Sequence, residues 1–130
     1  MVTMKHLLLS LALLLSMAAG AARYKGTLRM ASGFTLTDVT VSLDANGDLT
    51  LYRVKFARMM PVRVDVLIPQ VTLRGDSLYA DGIVPTMKGK PKQDKIVTEL
   101  TGTADARTIT FRCFLGGKEM FYSGHNIPLP

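Results

Sequence analysis

Phe34-Thr-Leu-Thr-Asp-Val-Thr-Val-Ser-Leu-Asp-Ala-Asn-Gly-Asp-Leu-Thr-Leu-Tyr-Arg-Val-Lys-Phe56 is the stretch that decides the fold. Two runs rich in valine, leucine and threonine flank Asp44-Ala45-Asn46-Gly47-Asp48. Asn-Gly readily takes the positive φ that tight hairpin turns need, so Phe34 to Leu43 and Leu49 to Phe56 are expected to pair as antiparallel strands. Each arm changes face partway. Phe34 and Leu36 share one face, whereas Val39, Val41 and Leu43 share the other; Leu49 and Leu51 likewise give way to Val54 and Phe56. Side chains alternate strictly along a regular strand, so each change of face predicts a bulge or strong bend. Bends of this kind let a sheet close on itself.

The same pattern continues outward in both directions. Tyr24 to Ala31 reads as a strand ending at a Ser32-Gly33 turn. Val62, Val64, Val66 and Ile68 form an alternating apolar face, with Arg63 and Asp65 opposite, until Pro69 ends, kinks or edges that strand. Val71 to Arg74 and Ser77 to Ile83 read as a hairpin around Gly75-Asp76. Pro85 to Lys95 is the longest irregular stretch. Ile96 to Thr103 and Thr108 to Leu115 form another pair turning near Asp105, and Gly116-Gly117 leads into Lys118 to Ser123. No long 3.6-residue pattern is present. The expectation is an all-β fold, an antiparallel up-and-down β-barrel of about eight strands. A two-sheet β-sandwich is the alternative, because strand counting does not separate the two.

The first residues have another logic. Lys5 and His6 precede an uncharged run from Leu7 to Ala19, followed by the small residues Gly20, Ala21 and Ala22. That order is the pattern of a secretory signal peptide. The run is 13 residues long, and a bilayer-spanning helix needs roughly 20. Cleavage is expected after Ala21, with one residue either side tolerable, and Met4 is an alternative start. Arg23 and Tyr24, not a cysteine, follow the site, which argues against a bacterial lipid anchor. The expected organisation is a signal peptide over 1–21 and a single barrel domain over 22–130. The expected location is exported, periplasmic or extracellular, and soluble, with no transmembrane anchor in the mature chain.

The net charge is +6, and Lys5 is the only charged residue of the leader, so the remainder stays basic. A basic exported protein suits anionic polysaccharide, lipid headgroups or nucleic acid as partner, but dispersed charge also serves solubility alone. Cys113 is the only cysteine, which excludes an intramolecular disulfide. Its place in Ile109-Thr110-Phe111-Arg112-Cys113-Phe114, apolar at every second residue, predicts a buried, inert thiol.

Residues that could carry chemistry are sparse. His6 lies in the leader, which leaves His125 alone beyond it. One histidine and one distant cysteine make neither a nucleophile–base pair nor a zinc site, which wants about four clustered ligands. Asp44, Asn46 and Asp48 mimic the spacing of a calcium loop, but Lys55 stands where the bidentate glutamate belongs. Asp65 and Glu99 have no local partner that would make them an acid–base pair. Arg53, Lys55, Arg58 and Arg63 surround Tyr52 and Phe56, yet they read as the solvated face of strands rather than a nucleic-acid surface. The expectation is a protein that is not an enzyme, needs no cofactor or metal and binds no nucleic acid. Met59-Met60-Pro61 lies between two strands, and methionine adapts to irregular apolar ligands. Tyr52, Phe56, Met59, Met60 and Phe111 are therefore the candidate lining of a barrel mouth. The Lys88 to Lys95 loop is a candidate lid or anion contact. Two functions follow as expectations: a carrier of a small apolar or amphipathic ligand, or a non-enzymatic structural or protein-interaction module of the cell envelope.

Three segments also carry a resemblance. They are the opening Tyr24-Lys25-Gly26-Thr27-Leu28 strand behind the leader, the segment Phe56-Ala57-Arg58-Met59-Met60-Pro61-Val62 before the valine strand, and the Gly102-Thr103 turn with Ile109-Thr110-Phe111. In these the chain resembles the calycin-like, lipocalin-like β-barrel proteins exported by gut-type Bacteroidetes. The resemblance implies an eight-stranded barrel, an exported location and a largely uncharacterised role. Members commonly show a glycine and an acidic residue soon after Met-Pro-Val, where this chain has Arg63, Val64 and then Asp65. No functional residue carries over.

Overall fold

The structure is a computed structural model that describes residues 22–127. The expected signal peptide and the last three residues lie outside the described residues. Eleven strands form one antiparallel sheet: β1 (Ala22–Met30), β2 (Thr35–Leu43), β3 (Leu49–Val54), β4 (Val64–Ile68), β5 (Thr72–Arg74), β6 (Ser77–Ala80), β7 (Thr86–Met87), β8 (Lys90–Pro91), β9 (Val97–Ala104), β10 (Thr108–Leu115) and β11 (Lys118–Asn126). One turn of 3-10 helix, Gln93–Lys95, precedes β9. The all-β, antiparallel expectation holds, and the single sheet replaces the sandwich alternative.

Two details correct the expectation of a closed eight-stranded barrel. The described residues form eleven strands, and the sheet is an open half-barrel whose spatial order runs β5-β6-β9-β10-β11-β1-β2-β3-β4-β7-β8. The additional strands come from Pro85 to Lys95, where the two-residue strands β7 and β8 form a hairpin. The ladder stays open for a local reason. Pro91 sits in the edge strand β8, and proline has no N–H to donate to a further strand.

The sheet is nevertheless tightly curled. Only residues 69–71 separate β4, ninth in spatial order, from β5, which is first. A flat sheet would place these strands about 38 Å apart at roughly 4.8 Å per strand. Four extended steps of chain reach about 14 Å. Residues 81–85 and 92–96 make comparable crossings between the two ends of the sheet. The two ends of the open sheet are thus joined by connecting chain and not by hydrogen bonds between the edge strands. The Val71 amide donating to the Gly47 carbonyl (2.9 Å) and the Ile83–Val97 bridge tie two of these crossings down.

The curvature is built from three bulges. Pairing of β1 with β2 shifts between Gly26 and Leu28, that of β3 with β4 between Leu51 and Val54, and that of β10 with β9 between Arg112 and Phe114. At each shift one residue of the longer arm takes a left-handed conformation: Asp38 (φ 58°), Arg53 (φ 53°) and Glu99 (φ 51°). Buried apolar residues bracket each one at a spacing of three, as Leu36 and Val39, Leu51 and Val54, and Val97 and Leu100. The first two are the face changes expected from the sequence. The extra residue turns the chain over, so that apolar side chains on both sides of the bulge still point inward.

The interior is filled. Tyr24, Leu28, Leu43, Leu51, Ile68, Leu100, Ile109, Met120 and Tyr122 are each 2% exposed or less. Tyr122 stacks on Phe111 with ring centroids 5.3 Å apart, and its hydroxyl donates to the Val39 carbonyl at 2.7 Å. The Tyr24 hydroxyl donates to the Asp105 carbonyl at 2.8 Å. Burial pushes the Tyr122 phenol well above its ordinary range, and burial together with the Asp105 charge pushes Tyr24 to about 12. Cys113 is 1% exposed, and burial raises its thiol to about 12, the state expected of an inert core cysteine.

The turns use their acids as backbone caps. The Asp44 carboxylate accepts from the amides of Asn46 and Asp48 and so caps the β2–β3 turn. Asp105 accepts from Thr108 and Arg107, and those hydrogen bonds hold its carboxyl below the usual carboxylate range.

Candidate functional site at the mouth of the half-barrel

Because the centre is filled, space for a ligand within the curl of the sheet lies at its end. One end of the sheet carries a cavity of about 530 Å³. Four methionines reach it from separate elements: Met30 at the end of β1, Met59 and Met60 in the β3–β4 loop, and Met87 on β7. Phe56, Val64 and Leu115 complete its apolar wall. The loop holding Met59 and Met60 is shaped by a turn in which the Met60 amide donates to the Ala57 carbonyl at 3.2 Å. Met60 and Phe56 are half-buried against the core, whereas Met59 is 88% exposed and Val62 48%.

The rim is cationic. Lys88 comes from the β7–β8 turn, Lys92 precedes the 3-10 helix, Lys95 ends it, and Lys118 opens β11. Asp94 is the one acid in the lining. Among the described residues the ion pair formed is Arg112–Glu119, which lies elsewhere, so these four lysines meet no carboxylate partner. Long lysine stems can cover apolar surface while their ammonium groups stay in water. The rim therefore combines a flexible apolar wall with unpaired positive charge.

The structure brings Phe56, Met59 and Met60 together with both ends of the Lys88–Lys95 loop. It does not bring Tyr52 or Phe111 there. Tyr52 follows Leu51 into the bulge of β3 and emerges on the outer face, where its hydroxyl meets that of Ser42 at 2.9 Å. Phe111 is held in the core stack with Tyr122. Met30, Met87, Val64, Leu115 and Lys118 were missed, because only tertiary structure brings these distant positions to one end. The signal available was weaker: each of the first four sits at or near the end of a strand with an inward parity.

Among the described residues no group of three or more histidine, cysteine, aspartate or glutamate side chains could hold a metal ion. No helix among them is long and apolar enough to cross a membrane. No family model, curated protein or solved structure matches the chain.

Proposed function

We propose that this protein is an exported, calycin-like carrier that holds one small amphipathic molecule at the mouth of its half-barrel, apolar part against the methionines and anionic group toward the lysines. The observation that carries the reading is the union, in one cavity of about 530 Å³, of four methionines and four lysines. That volume is within the range of about 300–1,000 Å³ typical of small-molecule sites. Methionine's unbranched, polarizable side chain lets such a wall fit chains of different shape.

Calorimetric titration with dodecanoate, dodecanol and dodecyltrimethylammonium tests it. Saturable binding is expected, tightest for the carboxylate and weakest for the cation. Met60→Trp, which fills the cavity from a half-buried position, should abolish it. Absence of saturable binding by all three probes would overturn the reading.

A second reading, a protein-interaction module, draws on the exposure of Met59 and Val62 side by side on the loop. Exposed apolar side chains grouped on one loop are a feature of contact surfaces. A stable oligomer in solution that Met59→Ser dissolves would favour it.

A further inference from the structure

The outer face of the sheet carries a second concavity, remote from the mouth. It covers β9, β10, β11 and β1 and encloses about 520 Å³. Strand register explains its shape. Arg29 pairs with Phe121, Phe121 with Arg112, and Arg112 with Thr101, so one row across four strands is dominated by long side chains. The adjacent row pairs Thr27 with Ser123 and Ser123 with Thr110, all short and hydroxylated. The step from tall row to short row makes a groove whose surface is mostly carbon, with the hydroxyls of Thr27, Ser123 and Thr110 along its lower side.

Both arginines are held in place. The Arg29 guanidinium lies 5.3 Å from the Phe121 ring centroid, and Arg112 Nη1 is 3.5 Å from Glu119 Oε2. Arg29 and Arg112 stand two strands apart, about 10 Å between backbones. Arg23 and Lys25 continue the positive charge along the same exposed face of β1, at a repeat of about 7 Å. Against these four cations the outer faces of β1, β9, β10 and β11 place two carboxylates, Glu119 and Glu99. An extended polyanion can meet all four, whereas a single small anion reaches one or two.

The surroundings narrow the polyanion further. Binding of single-stranded nucleic acid uses open aromatic faces on which bases stack. Here Arg29 occupies the face of Phe121, and the open ring nearby, Tyr79, stands alone beyond Thr101 at the end of the row, where successive bases would need a series. A membrane surface would want apolar side chains beside the charge. Of the exposed large apolar residues, Tyr79 alone borders the groove, beside Thr101, whereas Tyr52, Met59, Val62 and Ile96 belong to other strands and loops. What remains is a hydroxyl-rich anion, matched by guanidiniums for its charges and by a threonine–serine floor for its hydroxyls.

We propose that the groove between Arg29 and Arg112 is a binding site for an acidic polysaccharide, the guanidiniums taking its carboxylate or sulfate groups and Thr27, Ser123 and Thr110 its hydroxyls.

The test uses purified protein and four probes: a heparin oligosaccharide, an alginate oligosaccharide, neutral dextran and a thymidine oligonucleotide. Binding of at least one acidic glycan and none of dextran is expected, and the two acidic probes tell sulfate from carboxylate. Arg29→Ala with Arg112→Ala should weaken that binding about tenfold or more. Arg63→Ala with Lys90→Ala removes the same charge elsewhere and should cost less than about threefold. Ser123→Leu leaves the charge unchanged but fills the floor, and should weaken binding as the arginine pair does. If that variant fails to fold, Thr110→Leu fills the neighbouring floor position and takes its place. The proposal is overturned if neither acidic glycan binds, if the charge-matched control loses as much as the arginine pair, if filling the floor has no effect, or if the oligonucleotide binds through the same residues as tightly.

Discussion

The Asp65 carboxylate accepts a hydrogen bond from the Arg53 backbone amide at 2.8 Å, across the bulge where Arg53 is left-handed. The same device recurs at Glu99, whose amide donates to the Asp81 carboxylate at 3.0 Å. A bulge takes its extra residue out of the ladder, and its N–H loses a strand partner. In both places a neighbouring aspartate supplies one. Asp65→Ala and Asp81→Ala should each lower stability by about 1 kcal/mol. Serving different amides and sharing no partner, they should add in the double variant, as read from urea midpoints.

Left-handed φ at a side-chain-bearing residue costs roughly 1–2 kcal/mol, and glycine escapes that cost while adding entropy to the unfolded chain. Arg53→Gly should therefore leave stability unchanged or raise it by up to about 1 kcal/mol, whereas Arg53→Val should lower it. Thermal unfolding of the two variants side by side separates these outcomes.

Tyr122 is anchored through its hydroxyl to the Val39 carbonyl beside the first bulge. Tyr122→Phe keeps the stack with Phe111 but leaves that carbonyl without this donor. A loss of about 1–3 kcal/mol is expected. Gly124 makes room for the ring, since a Cβ there would lie 2.6 Å from the Tyr122 hydroxyl. Gly124→Ala should thus reproduce the loss and disturb the Phe111–Tyr122 stack in near-ultraviolet circular dichroism. Gly26→Ala should be worse, because its Cβ would run into the backbone of Ser123 and Gly124, which has nowhere to move.

Alkaline pH should unfold the protein in two stages. Burial raises the Cys113 thiol from 9.0 to about 12, and Tyr24 rises from 10.0 to about 12. Groups whose folded pKa is raised stabilise the fold fully below their unfolded pKa, and that stability is lost as pH climbs toward the folded value. Loss should begin near pH 9 through Cys113 at about 1.4 kcal/mol per pH unit. It should steepen above pH 10 as Tyr24 and Tyr122 join. Cys113→Ala should remove the first stage and leave the second, as measured by stability at fixed pH values from 8 to 12.

The elements legible from sequence were those with local chemistry. Asn46-Gly47 and Gly116-Gly117 marked turns, and the change of face at Leu36/Val39 and Leu51/Val54 marked two bulges. Val97 and Leu100 carry the same spacing of three, and the bulge between them has the same backbone. The short strands β7 and β8 were not legible, since two-residue pairs in a lysine- and proline-rich stretch carry no alternation. Phe56, Met59 and Met60 reached the cavity because they share one loop. Tyr52 did not, because it follows the inward Leu51 and alternation points it outward, while the bulge at Arg53 returns Val54 to the core. Phe111 obeyed strand parity and went to the core. Distance in sequence hid Met30, Met87 and Leu115, which only the curl of the sheet assembles.

The β1–β11 seam has its own consequence. Tyr24 pairs with Asn126, and the Ile127 amide donates to the Arg23 carbonyl at 2.8 Å. Residues 22 and 127 thus leave the sheet side by side, and topologically the chain is nearly a ring. On the ribosome β1 waits for its second partner until the last strand has been synthesised, so the central ladder is among the final structures available to the nascent chain. Joining the two ends with a short linker and reopening the ring at Gly116-Gly117 would alter that order of synthesis while leaving every strand neighbour the same.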